Sequence, residues 1–341
     1  MIMDPHFIEL PRVVLIGNNV ISRIPEICHE IGHNGKILVL ADKTTKDIVG
    51  SQIKDMLDAE IDIVEDSCQI EVDRIIARNM PDQVIAAGGG KVIDVAKMVS
   101  FNKDVPFISV PTAPSHDGIA SERASIKANG EKKSLRAKPP AAIVADIGIL
   151  KSAPYRLIAS GAADVISNYT AVNDWKIASH SKGVYYSDYA GSLSLLSSEI
   201  VIGSANDIRA QNERGIRNLV EALVSSGIAM SLVGSSRPAS GAEHAFSHAL
   251  DTLGTDALHG EQCGIGSIIM AAHQEKKWER IKLALDSLMA PITANKIGIE
   301  KNKIIDALIL AKSIRERYTI LDEKPIDREE AIKLCERTGI F

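Results

Sequence analysis

The chain has 341 residues, 45% of them hydrophobic and 24% charged, which is ordinary for a globular protein and long enough for two domains. A net charge of -5 and a pI near 6.0 argue against nucleic acid as the main partner. Aromatic residues make up only 4%, so the core has to be built from Ile, Val, Leu and Ala.

The first residues lack a basic segment followed by an apolar one, so no secretory signal is expected. Apolar runs such as Ser226 to Val233 fall short of the roughly 20 residues that a membrane span needs. The chain is therefore expected to be cytoplasmic and not membrane-spanning. Cys28, Cys68, Cys263 and Cys335 are scattered without a C-x-x-C spacing, which fits reduced thiols rather than a disulfide framework.

Short β-branched runs open the chain and alternate with helical patterns. Val13 to Gly17, Lys36 to Leu40, Ile61 to Val64, Gln83 to Ala87, Pro106 to Val110 and Ala142 to Ala145 read as buried strands. Thr45 to Ala59 and Val72 to Asn79 read as helices between them. The alternation predicts an α/β domain with a mainly parallel, doubly wound sheet. Ala124 to Pro140 is basic and reads as a hairpin or an excursion, with an Asn129-Gly130 turn. Ser152-Ala-Pro154 is a helix-start signal, with Ser as cap. Beyond it Leu157 to Trp175, Asp188 to Ile202, Ala210 to Leu232 and Gly264 to Met289 carry apolar residues at helical spacing. The expected division is an α/β dinucleotide-binding domain over 1–150 and an all-helical metal- and substrate-binding domain over 151–341. Helical surfaces in the second are a place for a homo-oligomer to form.

Within the first half, Gly88-Gly89-Gly90 joins a strand to the helical run Lys91-Val92-Ile93-Asp94. Backbone N–H groups there can approach a pyrophosphate, and the helix dipole favours the anion. The same glycines also make a tight turn with no ligand, and Asp94 also suits a first helical turn. Thr112-Ala113-Pro114-Ser115 and the following residues to Ser121 form a long loop at the carboxyl end of a strand, where open α/β sheets bind ligands. Asp42 ends the second strand; it can bind an adenosine ribose or simply cap the next helix.

Three polar stations in the second half sit among small or apolar residues: Asp164, His244 and His259. One carboxylate and two imidazoles make an open metal site suited to Zn²⁺, with Fe²⁺ or Mn²⁺ also compatible. A phosphate cradle plus a Lewis acid points to nicotinamide redox chemistry. His244 and His248 are four apart and share a helix face. Glu243 and Glu261 are either partners of the ligands or surface charges. Cys263 either lines the site or fills space as a small hydrophobe. His29, His33, His180 and His273 are expected outside it.

The runs GGGKVIDVAK, PTAPSHDGIASERASI, GAADVISNYTAVNDW, GAEHAFSHAL and LHGEQCGIG resemble the sn-glycerol-1-phosphate dehydrogenase family, from about residue 10 to 320. That family lies in the superfamily of glycerol dehydrogenase, iron-containing alcohol dehydrogenases and 3-dehydroquinate synthase. The resemblance implies an active site in the cleft between a nucleotide-binding domain and a helical one. It implies zinc held by Asp164, His244 and His259, and substrate contacts from Asp117, Asp164 and His248. The proton would come from water or by a relay through His248 or Asp117. Gly90 to Asp94, Thr112 to Ser115 and Ser121 would contact NAD(P)H, with Gly88, Gly89 and Asp42 added as candidates from their own positions. The implied reaction reduces dihydroxyacetone phosphate to sn-glycerol 1-phosphate, the backbone of archaeal-type membrane phospholipids. Arg214, Arg217 and Arg237 are candidates for the substrate phosphate. The alternatives are a glycerol or polyol dehydrogenase, a 3-dehydroquinate synthase-like lyase and a metal- or nucleotide-binding sensor.

Overall fold

The computed structural model describes residues 8–32, 35–128 and 131–341. His33 and the Asn129-Gly130 turn lie outside the described residues. Two compact units emerge, one from the amino terminus to Ala153 together with Gly227–Ser235, the other Pro154–Ser226 with Ser236–Phe341.

The first unit is built on β1 (Val13–Gly17), β2 (Ile37–Ala41), β3 (Glu60–Ile63), β4 (Gln83–Gly88), β5 (Phe107–Pro111) and β8 (Ala142–Asp146). They form one sheet in the order β1-β8-β5-β4-β2-β3, and every pairing is parallel. β4, β5 and β8 are buried along their whole length, as expected for strands covered on both faces. Val39, Ile85, Ile108 and Val144, one from each of four adjacent strands, share one apolar cluster. β6 (Arg123–Ala128) and β7 (Glu131–Arg136) form a separate antiparallel pair, the basic hairpin read from the sequence.

The second unit is helical. Its centre is α2 (Tyr155–Lys182), packed with α3 (Asp188–Gly203), α4 (Ala242–Thr252) and α5 (His259–His273); α1 (Gly90–Lys103) belongs to the first unit. Gly183 ends α2 at φ 64, the left-handed cap that glycine adopts without a Cβ clash. Trp175, Phe246, Ile265 and Ile269 are fully or almost fully buried in this unit.

Two local readings change. Ser152 does not cap α2; Pro154 occupies the cap position without a side-chain bond, and Ser152 Oγ donates to Ile149 O at the end of the preceding turn. The expected single helix Gly264 to Met289 is two, α5 and Trp278–Ser287. Glu275 ends α5 with φ 57, and its N–H and that of Lys276 donate to Ala272 O and Ala271 O, a local helix cap.

Among the described residues one helix, Glu213–Val233, is long and apolar enough to cross a membrane by length and composition alone. Of its most apolar window 61% is buried inside the protein, which is how a core helix satisfies the same pattern.

Candidate functional site

Three helices bring the polar stations of the second unit together. Asp164 lies in the middle of α2, His244 in the first turn of α4 and His259 at the first position of α5. Small residues allow this approach. A Cβ on Gly260 would meet Ser160 O at 1.9 Å, so the start of α5 packs directly on the α2 backbone. A Cβ on Gly266 would meet Glu243 O at 3.0 Å, so α5 and α4 are close as well.

Oδ1 of Asp164 lies 3.6 Å from Nε2 of His244 and 3.6 Å from Nε2 of His259. The ring orientations follow from the partners of the other nitrogens. Glu243 is fully buried, and its Oε1 accepts from His244 Nδ1 at 2.9 Å. That carboxylate is held in turn by Gly241 N–H and Thr170 Oγ1. Ser247 Oγ donates to Gln262 Oε1 at 2.5 Å and lies 3.0 Å from His259 Nδ1. The single hydroxyl proton is committed to Gln262, so the hydroxyl oxygen accepts from Nδ1–H. Both imidazoles therefore carry their proton on Nδ1 and turn the Nε2 lone pair toward the Asp164 carboxylate.

Three lone-pair donors facing one another repel unless a cation lies between them. Tetrahedral ligation by nitrogen and oxygen at about 2.1 Å would separate the donor atoms by roughly 3.4 Å, close to what is found. The residues fit a Zn²⁺-sized ion. Asp164 is 3% exposed at its side chain and His259 27%, so the cluster is most accessible along His259.

His248, one turn beyond His244, is half-buried, and its ring centre lies 6.1 Å from that of His259. Cys263 joins the group itself: its sulfur and the donor atoms of Asp164, His244 and His259 all lie within 4.8 Å of one another. Sequence reasoning left Cys263 and Glu243 open and missed Ser247. The signal for Cys263 was its place four residues after His259 on one helix face. Glu261 serves elsewhere, paired with Arg156 through two hydrogen bonds at 2.6 and 2.7 Å and accepting from Leu258 N–H. His273 is buried with Nε2 2.7 Å from Lys324 O, while His29 and His180 are exposed.

In the first unit Gly88 ends β4, Gly89 occupies the cap position of α1 and Gly90 begins it. No side chain caps this 14-residue helix, and a Cβ on Gly89 would meet nothing within 4 Å. A Cβ on Gly90 would meet Nε2 of His116 at 2.0 Å. The ring is fixed there because its Nδ1 accepts from Gly118 N–H at 2.9 Å. Thr112 N–H donates to Gly88 O at 3.1 Å, which places the loop Thr112 to Ser115 beside the glycines.

The side chains of α1 have other partners. Val92 and Ile93 are fully buried. Asp94 Oδ2 accepts from Ser125 N–H at 3.1 Å, and Oδ1 lies 3.5 Å from Nζ of Lys97. Lys97 is completely buried and donates to Arg123 O at 2.6 Å. Burial pushes its pKa down, opposed by the negative charges of Asp94 and Asp117. Asp94 and Lys97 thus tie β6 to α1. Asp117 is half-buried at the start of a short turn of helix, and Ser121 is buried with Oγ 3.5 Å from Arg123 O.

Asp42 is a helix cap: its Oδ1 accepts from Thr44 and Thr45 N–H at 3.0 and 2.8 Å. Its Oδ2 lies 3.7 Å from Nζ of Lys91, which also donates to Glu65 O. Of the arginines considered for a phosphate, Arg214 pairs with Asp207, Arg217 lies between Glu213 and Glu221, and Arg237 donates to Tyr318 O.

The profile of the family described as iron-containing alcohol dehydrogenase matches residues 15–154. A probable glycerol dehydrogenase from Sinorhizobium meliloti shares the fold with a TM-score of 0.81 at 20% identity, over 98% of this chain and 99% of that one. A glycerol-1-phosphate dehydrogenase (NAD(P)+) of Thermococcus kodakarensis is 48% identical over 346 residues, covering 98% of this chain and 99% of that protein. One from Methanosarcina barkeri is 44% identical over 325 residues, covering 92% and 91%. With identity at that level along nearly its whole length, the chain belongs to the glycerol-1-phosphate dehydrogenase family, a family of NAD(P)-dependent oxidoreductases.

Proposed function

We propose that this chain reduces dihydroxyacetone phosphate to sn-glycerol 1-phosphate with NADH or NADPH, using a zinc ion held by Asp164, His244 and His259. The observation that carries the reading is that Asp164 Oδ1 lies 3.6 Å from Nε2 of both His244 and His259. When bound, zinc supplies Lewis acidity toward a carbonyl or alkoxide oxygen.

The chain's own residues do the rest. Glu243 and Ser247 hold both imidazoles in the ligating tautomer. His248 lies beside His259 and holds the proton that the product hydroxyl requires, and Asp117 contacts the substrate. The uncapped start of α1, with open space over Gly89, takes the pyrophosphate on backbone N–H groups. Thr112 to Ser115 and Ser121 complete the dinucleotide contacts. Asp42 meets the adenosine ribose, and the Lys91 ammonium beside it offers a charge to a 2′-phosphate. On this reading 1–150 is the dinucleotide-binding part and 151–341 the metal- and substrate-binding part. We also place the protein in the cytoplasm as a homo-oligomer; light scattering reads the second.

The test is NADH and NADPH oxidation with dihydroxyacetone phosphate on metal-stripped protein, with and without zinc, followed by chiral analysis of the product. Zinc-dependent formation of sn-glycerol 1-phosphate is expected. The 3-phosphate enantiomer, turnover of glycerol without need for phosphate, or turnover indifferent to metal would overturn the proposal.

A further inference from the structure

A surface helix ordinarily turns its apolar residues inward and its polar ones to water. α3 does the reverse. Its inward face is hydroxylated: Ser194 and Ser198 are buried and donate through Oγ to Pro238 O at 2.5 Å and Ile166 O at 3.2 Å. Its outward face carries Tyr189, Leu196 and Ile200, exposed by 71%, 55% and 37%. Together with the half-buried Leu193 and the exposed Gly203 they follow one another at spacings of four, three, four and three residues. That is the seam of a helix that packs against another helix. Glu199, at the edge of this stripe, accepts from Arg280 at 2.7 Å, and Leu283, three residues past Arg280, is 68% exposed. Tyr185 is exposed just ahead of the helix.

We propose that this face of α3 is where two copies of the chain meet, about a two-fold axis beside Leu196. This rests on the homo-oligomer reading above and gives it a surface. Tyr185, Tyr189, Leu196, Ile200 and Leu283 together expose roughly 400 Å² of side-chain surface. A standard interface of about 800 Å² per partner is apolar over about 450 Å², so the patch is close to what a stable dimer needs. A closed pair of identical chains also needs a self-complementary surface. Antiparallel pairing about Leu196 turns Tyr189 of each copy toward Gly203 of the other, since both lie seven residues from the axis. A Cβ on Gly203 would meet nothing within 4 Å, so the large side chain faces open space. Charge favours a second copy over a membrane. α3 has no Lys or Arg, only Asp188 and Glu199, and the chain carries a net charge of -5. The helix therefore offers no cation to an anionic lipid surface.

Light scattering on the full-length protein tests it. The wild-type mass should be an even multiple of the 36.7 kDa protomer. Leu196→Glu should fall to half of that mass or less at the same concentration, because two like charges would face each other across the axis. Its dissociation constant should rise roughly 30-fold or more, the effect expected at the centre of an interface. Its circular dichroism should match the wild type, since Leu196 is exposed in the single chain. Leu196→Ser, a milder change, should lower the mass in the same direction, so a misfolded Leu196→Glu does not blunt the test. Ile70→Glu, at a position 80% exposed in the first unit, should leave the mass unchanged. An oligomer indifferent to both changes at Leu196, or equally sensitive to Ile70→Glu, would overturn the inference and leave the homo-oligomer reading standing. A wild-type monomer would remove both. Wild-type protein that floats with phosphatidylglycerol vesicles through Leu196 instead of pairing would give the face to a membrane and overturn the inference as well.

Discussion

Glu243 Oε1 accepts the Nδ1 proton of His244 at 2.9 Å, and this single bond determines which nitrogen of His244 faces Asp164. A carboxylate has no proton to give, so Nδ1 must carry one, and Nε2 is left as the nitrogen that can offer a lone pair to a metal. Ser247 acts on His259 in the same way through Gln262. The candidate metal centre is thus oriented by residues that do not themselves face the ion.

Glu243→Gln keeps the shape but weakens this control. The amide also accepts from Nδ1–H, yet the negative charge is gone and a rotated amide presents N–H to the ring. Zinc affinity should fall roughly 10- to 100-fold, the range seen for outer-sphere partners of metal-bound histidines. Chelator competition measures it. Affinity equal to wild type would show that Glu243 is only a buried structural acid.

Gly260→Ala should be severe. Its Cβ would meet Ser160 O at 1.9 Å and Ser160 C at 2.6 Å, and neither is a flexible side-chain end. The first turn of α5 has to move away from α2, taking His259 with it. Stability should drop by about 1–3 kcal/mol or more, read as the denaturation midpoint, with a parallel loss of zinc affinity. A variant as stable as the parent would contradict the close helix contact.

Gly90→Ala probes the proposed phosphate loop. The added methyl would collide with His116 Nε2, 2.0 Å from its ideal position, so the ring must leave the loop. NADH binding, followed by fluorescence, should weaken roughly tenfold, equivalent to about 1.4 kcal/mol. Removing the obstacle in Gly90→Ala/His116→Ala should recover much of that loss. Additive effects of the two changes would mean that His116 and Gly90 do not share the space.

Asp174 makes stability depend on pH. It is buried, and burial followed by the nearby Glu243 charge raises its pKa to about 7, against the hydrogen bonds from Ala242 N–H, Ile320 N–H and the Gln274 amide. The folded protein therefore keeps a proton that the unfolded chain releases near pH 4. The contribution of this group is greatest below about pH 4, is lost as pH rises to about 7, and is level above that. Asp174→Asn lacks this dependence. Its unfolding free energy relative to wild type should rise between about pH 4 and about pH 7. A difference between the two proteins that stays constant with pH would refute the raised pKa.

Local pattern was enough for much of the fold. β-branched runs separated by helical spacing, as at Val13 to Gly17 and Gln83 to Ala87, imply a parallel covered sheet because each strand must bury both faces. The helix break at Gln274 to Lys277 was not legible, since the residue that takes the left-handed conformation there is Glu275 and not the glycine that usually marks a helix end. Ser152 misled for a related reason: a cap signal states that a helix boundary is near, but not which of two helices the hydroxyl serves.

The sequence by itself determined the residue types of the site: Asp164, His244 and His259 in small-residue settings, and three glycines after a strand. These are statements about which chemistry is locally available. Only the tertiary structure decided which of those groups meet, which imidazole nitrogen each presents, and that Cys263 stands among the donors. Those properties depend on distances across α2, α4 and α5, set by contacts such as Gly260 on Ser160. They depend also on buried partners such as Glu243 and Ser247, whose roles exist only once water is excluded.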